Sequence, residues 1–305
     1  MARILVSGAS GLLGIHLSME AMREHAVIGL DRGTLKSAPF QVIRTEILNP
    51  NTIASVLDTV QPDWLINCAA LANLERCEEE PEQAKMLNIY LPGDLATVCA
   101  ERNIRYVHIS TDAVFDGTRE GAYTEDDEPN PQSVYAKTKL DGERAVQEVN
   151  PQAMIARVNF YGWSLGGRRS LAEFFVNNLS EGKNVNGFTD VIFCPMLVND
   201  TARLLLEILQ KNLSGLYHVV GAQPMSKYQF GVEVARMFGF REDLISPRSV
   251  EGSSLTAKRS HNLWLSTHKL STDLGREIPS FSTGLAEFYT QHKQGYPQKI
   301  RSYQQ

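Results

Sequence analysis

Residues 4–14 read Ile-Leu-Val-Ser-Gly-Ala-Ser-Gly-Leu-Leu-Gly. The apolar start predicts a short strand, and the helical spacing of apolar residues over 13–21 predicts a helix directly after the glycines. Glycine permits a tight turn, lets phosphates approach bare backbone and lets the helix pack closely on the strand. The N–H groups at the helix start attract an anion. This order predicts a dinucleotide site at Gly8, Gly11 and Gly14; the alternative is a tight turn without a ligand.

The composition is that of an ordinary globular protein. The chain has 305 residues, of which 43% are hydrophobic and 21% charged, enough for one large domain or one and a half. A net charge of −5 gives no indication of a nucleic-acid or anionic-membrane partner. No apolar run approaches the roughly 18 residues of a membrane span, and no signal peptide is visible, so a cytoplasmic location is expected. The four cysteines form no C-x-x-C pair, which indicates neither a zinc site nor a disulfide framework.

Apolar runs and helical patterns alternate along most of the chain. Strands are predicted at 4–6, 26–30, 41–45, 64–68, 105–109, 152–158 and 216–220, and helices at 52–60, 81–102, 135–149, 170–181, 200–210, 226–238 and 282–292. This alternation predicts an α/β fold, a doubly wound parallel sheet with a smaller, mixed C-terminal lobe that binds substrate. The predicted division is 1–160, rejoined by about 196–221, for the cofactor, and 161–195 with 222–305 for the lobe. The acidic loop around Glu125 is expected to be solvated surface.

Asp31 and Arg32 follow the second predicted strand. A carboxylate at this point accepts hydrogen bonds from the ribose hydroxyls of NAD and repels the extra phosphate of NADP. The neighbouring arginine would instead hold that phosphate. The pair favours NAD and leaves NADP open; a solvated Asp-Arg turn is the alternative without a ligand.

Two further strand ends carry residues that suit a cofactor crevice. Asn67-Cys68-Ala69-Ala70 are small, which leaves room for a flat ligand at the carboxyl end of a strand. Ser110 and Thr111 place hydroxyl groups at the end of the fifth strand. Simple capping of the strand end explains these hydroxyls equally well when they are taken alone.

Tyr135 and Lys139 lie four residues apart at the start of a predicted helix and therefore share one face. A phenol ordinarily has a pKa of about 10, and an adjacent ammonium would lower that pKa toward neutrality. Thr111 can hydrogen-bond the substrate oxygen. The same spacing recurs at Tyr289 and Lys293, where it is interpreted as chance because no fifth strand precedes it.

These motifs, in this order, resemble an extended short-chain dehydrogenase/reductase. The resemblance covers the first 160 residues and is strongest to the dTDP-4-dehydrorhamnose reductases. The stretches that carry it are Ser110–Gly117 and Val134–Glu143, with looser similarity over Glu75–Asn88 and Gly215–Phe238. The family implies a Rossmann fold, NAD or NADP as cofactor, and a nucleotide-sugar substrate. A homodimer is left open.

The resemblance also implies roles for individual residues. Thr111, Tyr135 and Lys139 would form the catalytic triad, in which Tyr135 protonates the ketone oxygen and Lys139 also grips the nicotinamide ribose. The residues expected to contact the cofactor are Gly8, Ser10, Gly11, Leu12, Leu13, Gly14, Asp31, Arg32, Ile47, Leu48, Cys68, Ala69, Ala70, Leu71, Asn88, Tyr135 and Lys139. Those expected to contact the substrate are Ala113, Val114, Phe115 and Asn159.

The chain departs from these reductases at two places. Ala113 stands where they usually carry a tyrosine beside the substrate, and the segment Ile192–Met196 is less polar than theirs. Three functions follow as hypotheses. The first is NAD(P)H-dependent reduction of a 4-keto nucleotide sugar. The second is an NAD-dependent nucleotide-sugar epimerase or dehydratase. The third is a non-catalytic, cofactor-binding subunit, because the chain also resembles the regulatory subunit of methionine adenosyltransferase over Lys137–Glu143.

Overall fold

The computed structural model describes residues 1–46, 48–253 and 256–304. The strands are β1 (Arg3–Ser7), β2 (Ala26–Asp31), β3 (Gln41–Arg44), β4 (Trp64–Asn67), β5 (Arg105–Thr111), β6 (Met154–Val158), β7 (Phe160–Tyr161), β8 (Val185–Phe188), β9 (Ile192–Phe193), β10 (Met196–Leu197), β11 (Gly215–Val219), β12 (Met225–Ser226), β13 (Ile245–Arg248) and β14 (Asn262–Leu263).

The helices surround these strands. They are α1 (Leu12–Ala21), α2 (Pro50–Val60), α3 (Leu74–Glu79), α4 (Pro81–Lys85), α5 (Leu91–Glu101), α6 (Val134–Val149), α7 (Leu171–Ser180), α8 (Val198–Gln210), α9 (Lys227–Phe238), α10 (His268–Leu274), α11 (Phe281–Lys293) and α12 (Tyr296–Ser302). Within the described ranges, none of these helices is both long and apolar enough to cross a bilayer.

The main sheet has seven parallel strands in the order β11-β6-β5-β4-β1-β2-β3. The chain runs outward from β1 through β2 and β3 and then crosses to β4 on the other side. The order in which strands are added to the sheet therefore reverses between β1 and β4, and open α/β sheets bind ligands in the crevice at that point. The predicted doubly wound α/β fold is confirmed.

Both faces of the sheet are covered by helices. One hydrophobic core joins α1 and α8 to strand residues such as Ile4 and Val107. The other packs α2 and α5 against residues such as Leu5 and Ile155. Neighbouring strand residues point to opposite faces, so Ile4 and Leu5 enter different cores. Burial on both faces fixes the strand register and hence the positions of the strand ends that carry the site.

The C-terminal lobe has its own aromatic core between α7, α9 and α11. The rings of Trp163 and Phe288 stack with centroids 4.0 Å apart, and Tyr161 contacts Phe230 and Phe288 edge-on. Aromatic pairs in these geometries add to the free energy of burial. Phe230 of α9 and Phe193 of β9 both belong to this core, which therefore fixes α9 relative to β9.

Two local features differ from the sequence-based expectation. The predicted helix over 81–102 is interrupted by a π-helical turn at Met86–Tyr90, which lies directly before Pro92 in α5. Glu125, expected on a solvated surface, is instead largely buried and accepts a hydrogen bond from the His218 backbone N–H at 2.9 Å. The loop therefore packs onto the end of β11, and a tertiary contact overrides its surface-like composition.

The end of α12 contacts the loop that follows β2. The Tyr303 carbonyl accepts hydrogen bonds from the backbone N–H groups of Lys36 and Ser37, at 2.8 and 3.3 Å. Ile300 and Tyr303 share a small hydrophobic cluster with Leu35. The loop that follows β2 is therefore fixed by a segment more than 250 residues away in sequence.

Candidate active site

The glycine turn after β1 has the shape that close approach of backbone requires. Gly8 has φ +72°, and a Cβ on it would lie 2.7 Å from the Ala69 backbone nitrogen. A Cβ on Gly14 would lie 2.2 Å from the Gly8 carbonyl oxygen. Gly11 is the N-cap of α1 and has no side chain to cap it, so the first N–H groups of the helix are available to an anion. This turn can hold a diphosphate.

Asp31 at the end of β2 is buried and already hydrogen-bonded. Its Oδ2 accepts from the backbone N–H groups of Gly33 at 2.7 Å and Leu35 at 3.0 Å. Burial opposes ionisation, but hydrogen bonds from the Ser10 hydroxyl and from these amides outweigh it and hold the pKa of Asp31 below its usual value. Arg32 beside it is exposed. The structure thus brings Ser10, Asp31 and Arg32 together, and the carboxylate of Asp31 stays charged.

The end of β4 meets the glycine turn at the reversal point of the sheet. The Cys68 N–H donates to the Ser7 carbonyl at 2.9 Å, and the Ala69 N–H donates to Asn67 Oδ1 at 3.2 Å. Ala70 is exposed at the mouth of the crevice. Leu48 lies at the edge of the core beneath, and Ile47 lies outside the described residues. The small residues predicted for this strand end therefore border the crevice.

Asn88 is fully buried, and its side-chain amide forms hydrogen bonds with other protein atoms. Its Oδ1 accepts from the Leu71 N–H at 2.9 Å, and its Nδ2 donates to the Leu71 carbonyl and the Thr138 hydroxyl, both at 3.1 Å. The side chain closes the loop after β4 onto α6. This geometry favours an indirect role for Asn88, in which it fixes the loop that Leu71 belongs to, over direct contact with a cofactor.

Thr111, Tyr135 and Lys139 are brought together by β5 and α6. Ser133 caps α6 and accepts from the Ala136 N–H at 3.3 Å, which starts the helix so that Tyr135 and Lys139 both face the end of β5. The Lys139 ammonium is 2% exposed and donates to the Ile109 carbonyl at 2.6 Å. Burial lowers the pKa of Lys139 to about 8, although the Glu143 carboxylate opposes this shift.

The phenol of Tyr135 does not behave as the sequence suggested. Burial raises the pKa of Tyr135, and a hydrogen bond with the Thr111 hydroxyl offsets only part of that rise. The ammonium of Lys139 is directed to the Ile109 carbonyl instead of the phenol. The expected lowering of the phenol pKa by its neighbour is therefore not seen in this state, in which the phenol stays protonated and can act as an acid.

The four predicted substrate residues divide into two pairs. Ala113 and Asn159 line the cavity, and Asn159 donates to the Asp112 carboxylate. Val114 and Phe115 are fully buried in a hydrophobic cluster, where Phe115 stacks on the Tyr123 ring. The prediction that they contact substrate does not fit these positions, because a short 3₁₀ turn after β5 directs both side chains into the core.

A cavity of about 410 Å³ lies between the triad and the lobe. Sequence reasoning missed most of its far wall, which consists of Val191, Phe193, Lys227, Lys258, Arg259, Ser260 and Leu263. Arg259 pairs with Glu75 at 2.7 Å, and Lys258 donates to Gln132 at 2.9 Å. Among the described residues, the Lys227 ammonium has no hydrogen-bond partner. The only local signal was that Lys227 opens a capped helix, which alone does not distinguish it from a surface lysine.

Asp112 and Lys227 face each other across this cavity. Burial raises the pKa of Asp112 to about 6, against hydrogen bonds from Asn159 and Thr111. Burial also lowers the pKa of Lys227, and nearby Arg259 adds to that effect. A hydroxyl, a phenol and a set of cations thus share one cavity, which suits the binding of an anionic molecule with its reacting oxygen near Thr111 and Tyr135.

The sequence profile of the RmlD substrate binding domain family matches residues 2–294. The chain belongs to this family. An RmlD relative from Haloferax volcanii, a probable low-salt glycan biosynthesis reductase Agl14, is 34% identical over 92% of this chain and 95% of its own. Methionine adenosyltransferase 2 subunit beta of Pongo abelii is 31% identical over 93% of this chain and 86% of its own.

A solved RmlD-type structure extends the similarity to three dimensions. The crystal structure of a dTDP-4-dehydrorhamnose reductase from Clostridium acetobutylicum is 28% identical, covers 95% of this chain and 99% of its own, and superposes with a TM-score of 0.83. These findings confirm the resemblance to extended short-chain sugar-nucleotide reductases. The roles of the individual site residues stay predictions.

Proposed function

We propose that this chain reduces the 4-keto group of a nucleotide sugar with NAD(P)H, using Thr111, Tyr135 and Lys139. The observation that carries the proposal is a cavity of about 410 Å³. The hydroxyl and phenol of the triad lie on one side of it, and a group of cationic side chains lies on the other. A ketone oxygen can accept hydrogen bonds from the hydroxyl and the phenol, and the diphosphate of a nucleotide sugar can pair with the cations.

At the coarser level, the chain is an NAD(P)-dependent oxidoreductase of the extended short-chain type, because it belongs to the RmlD family and its relatives include reductases. NAD(P)H, when bound, supplies the hydride. Gly8, Gly11 and Gly14 would hold its diphosphate through the N–H groups of α1. The charged carboxylate of Asp31 favours NADH, and exposed Arg32 is the group through which NADPH would be accepted.

The triad residues have separate tasks in this proposal. The Tyr135 phenol donates its proton to the ketone oxygen as that oxygen gains negative charge, and the product is the alcohol. The Thr111 hydroxyl hydrogen-bonds the same oxygen and holds it in line with the phenol. Lys139, held against the Ile109 carbonyl, supplies a donor for the nicotinamide ribose.

The lobe wall supports a nucleotide-sugar substrate. Lys227 and Arg259 present donors to a diphosphate, and Val191, Phe193 and Leu263 form an apolar surface against which a sugar carbon can pack. Ala113 leaves open the space that a larger side chain would fill. We extend the proposal to the parts of the chain that bind each ligand. The cofactor is held by residues 1–160 together with about 196–221. The substrate site is formed by residues 161–195 and 222–305.

A second candidate is a regulatory subunit that binds cofactor without turnover. The similarity to methionine adenosyltransferase 2 subunit beta over 93% of the chain favours it. The two candidates differ in product formation. The epimerase or dehydratase alternative differs from both, because such an enzyme returns its nicotinamide unchanged and consumes no NAD(P)H.

The deciding experiment measures oxidation of NADH and NADPH at 340 nm against a panel of 4-keto nucleotide sugars, with product analysis. We expect one NAD(P)H consumed for each alcohol formed. A rearranged or dehydrated product without NAD(P)H consumption would establish the second enzyme class. Binding of both NAD(P)H and a methionine adenosyltransferase catalytic subunit, with no turnover on the panel, would establish the regulatory function.

A further inference from the structure

His108 lies on β5 directly behind the triad and is completely buried. Its Nε2 is 3.3 Å from the Lys139 Nζ. Its Nδ1 has no hydrogen-bond partner among the described residues. Burying an imidazole with one unpaired nitrogen costs free energy of folding. We therefore expect its other nitrogen to make an interaction that offsets this cost.

The packing around this contact is unusually close. A Cβ on Gly142 would lie 2.0 Å from the Asn88 carbonyl oxygen and 3.6 Å from the His108 Nε2. Glycine at this position lets α6 approach both β5 and the π-helical turn. The imidazole and the ammonium therefore lie where α6, β5 and the π-helical turn approach one another closely.

The charge states of the pair follow from burial. Burial, together with the Lys139 ammonium, holds the pKa of His108 well below its ordinary value. The ring is neutral, so with its hydrogen on Nδ1 the Nε2 accepts from the ammonium. The other groups that face Lys139 are the Ile109 carbonyl on β5, Glu143 and Tyr135 on α6, and the Cys68 thiol after β4.

We propose that His108 is a positioning residue for Lys139. Its neutral imidazole and the Ile109 carbonyl each accept one N–H of the ammonium and thereby aim the remaining N–H at the cofactor. This inference rests on the proposed function, because it takes Lys139 to be the residue that contacts the nicotinamide ribose. It assigns His108 no contact with substrate or cofactor.

The test compares His108→Leu, which removes the acceptor, with His108→Gln, whose side-chain oxygen can replace Nε2. We expect His108→Leu to weaken NADPH binding, measured by fluorescence titration, about tenfold, the scale for loss of a hydrogen bond to a charged group. His108→Gln should recover most of that affinity. In turnover assays of His108→Leu, the alkaline limb of the pH profile of kcat/KM should move to lower pH. The reason is that the Lys139 ammonium loses an acceptor that stabilises its charged form.

A double-mutant cycle separates positioning from packing. If His108 acts through Lys139, His108→Leu should cost little additional NADPH affinity in a Lys139→Met background. Equal losses from His108→Leu in both backgrounds, or equal damage from the leucine and glutamine variants, would overturn the proposal. If wild-type protein binds NADPH but turns over no keto sugar, the proposed function fails while the binding comparison still decides the role of His108.

Discussion

The two walls of the cavity are held in different ways. On the sheet side, Asp112 and Tyr135 line the cavity, and Lys139 lies one helical turn beyond Tyr135. Asp112 and Lys139 are 4% and 2% exposed, and both are hydrogen-bonded to neighbouring protein atoms. On the lobe side, the ammonium of Lys227 has no hydrogen-bond partner among the residues described, and Lys258 is exposed. One wall is fixed before any ligand arrives, and the other keeps its charges available for one.

This difference separates chemistry from recognition. A proton donor must sit in one place to be effective, so its surroundings are tightly packed. A diphosphate can be bound by cations on loops and helix starts, which change without disturbing the reacting groups. We therefore expect substitutions on the sheet side to affect rate or folding, and those on the lobe side to affect KM.

The largest expected effect is that of Tyr135→Phe. Removing the phenolic hydroxyl should lower kcat by at least about 10²-fold, the usual scale for general acid catalysis, while NAD(P)H affinity stays close to wild type. Cofactor oxidation and fluorescence titration measure the two quantities. Tyr289→Phe is the matched control, since it alters the second Tyr-x-x-x-Lys motif in α11 and should keep full activity. A Tyr135→Phe enzyme with normal kcat would remove the phenol from the mechanism.

The next effect is on stability. Glu143 and Arg157 form a buried, bidentate ion pair, with contacts of 2.9 and 2.7 Å, behind the sheet-side wall. Glu143→Ala leaves a buried guanidinium uncompensated and should lower the free energy of unfolding by about 3–5 kcal/mol. The Glu75–Arg259 pair on the lobe side is partly exposed, so Glu75→Ala should cost no more than about 1 kcal/mol. Urea unfolding compares the two; similar costs would contradict the contrast between the walls.

Lys227→Gln tests recognition on the lobe side. Loss of one charge-assisted hydrogen bond to the diphosphate should raise KM for the nucleotide sugar about tenfold and leave kcat nearly unchanged. Lys183→Gln, at an exposed lysine that pairs with Glu181, is the control for loss of a positive charge. A fall in kcat with constant KM would place Lys227 in the chemical step and break the distinction.

The smallest expected effect concerns the choice of cofactor. Asp31→Asn keeps an oxygen to accept from Gly33 and Leu35 but removes the negative charge. The ratio of NADPH to NADH affinity should rise about fivefold, equivalent to ~1 kcal/mol of repulsion between the Asp31 carboxylate and the extra phosphate of NADPH. Arg32→Gln should shift the same ratio in the opposite direction. An unchanged ratio in both variants would show that neither side chain contacts the adenosine ribose.

Sequence alone predicted the sheet-side wall because its parts are local. The glycine turn, the end of β5 and the first two turns of α6 each consist of residues within a few positions of one another, where periodicity and turn chemistry operate. Phe115, expected to contact substrate, follows a 3₁₀ turn and packs on the Tyr123 ring. A motif gives the spacing of residues along the chain, and one turn decides which way they point.

The lobe-side wall was beyond sequence reasoning for a physical reason. Lys227 and Arg259 reach the cavity through the aromatic core around Trp163 and through the pairing of β9 with β12 and β14. Those contacts join segments that are about 30 to 125 residues apart, and no local pattern records them. Glu125 shows the same limit, since its acidic neighbours suggested solvent and its own partner lies on β11.

The tie between Tyr303 and the loop after β2 has a practical consequence. The adenosine end of the proposed cofactor site is completed only when the turn at Tyr303 has docked, so it cannot form before residues 300–303 have been synthesised. Retention on an immobilised nucleotide resin would then select molecules with an intact C-terminal turn. A protease nick near Ile300 would be detected first as early elution from such a resin, well before the main sheet loses its structure.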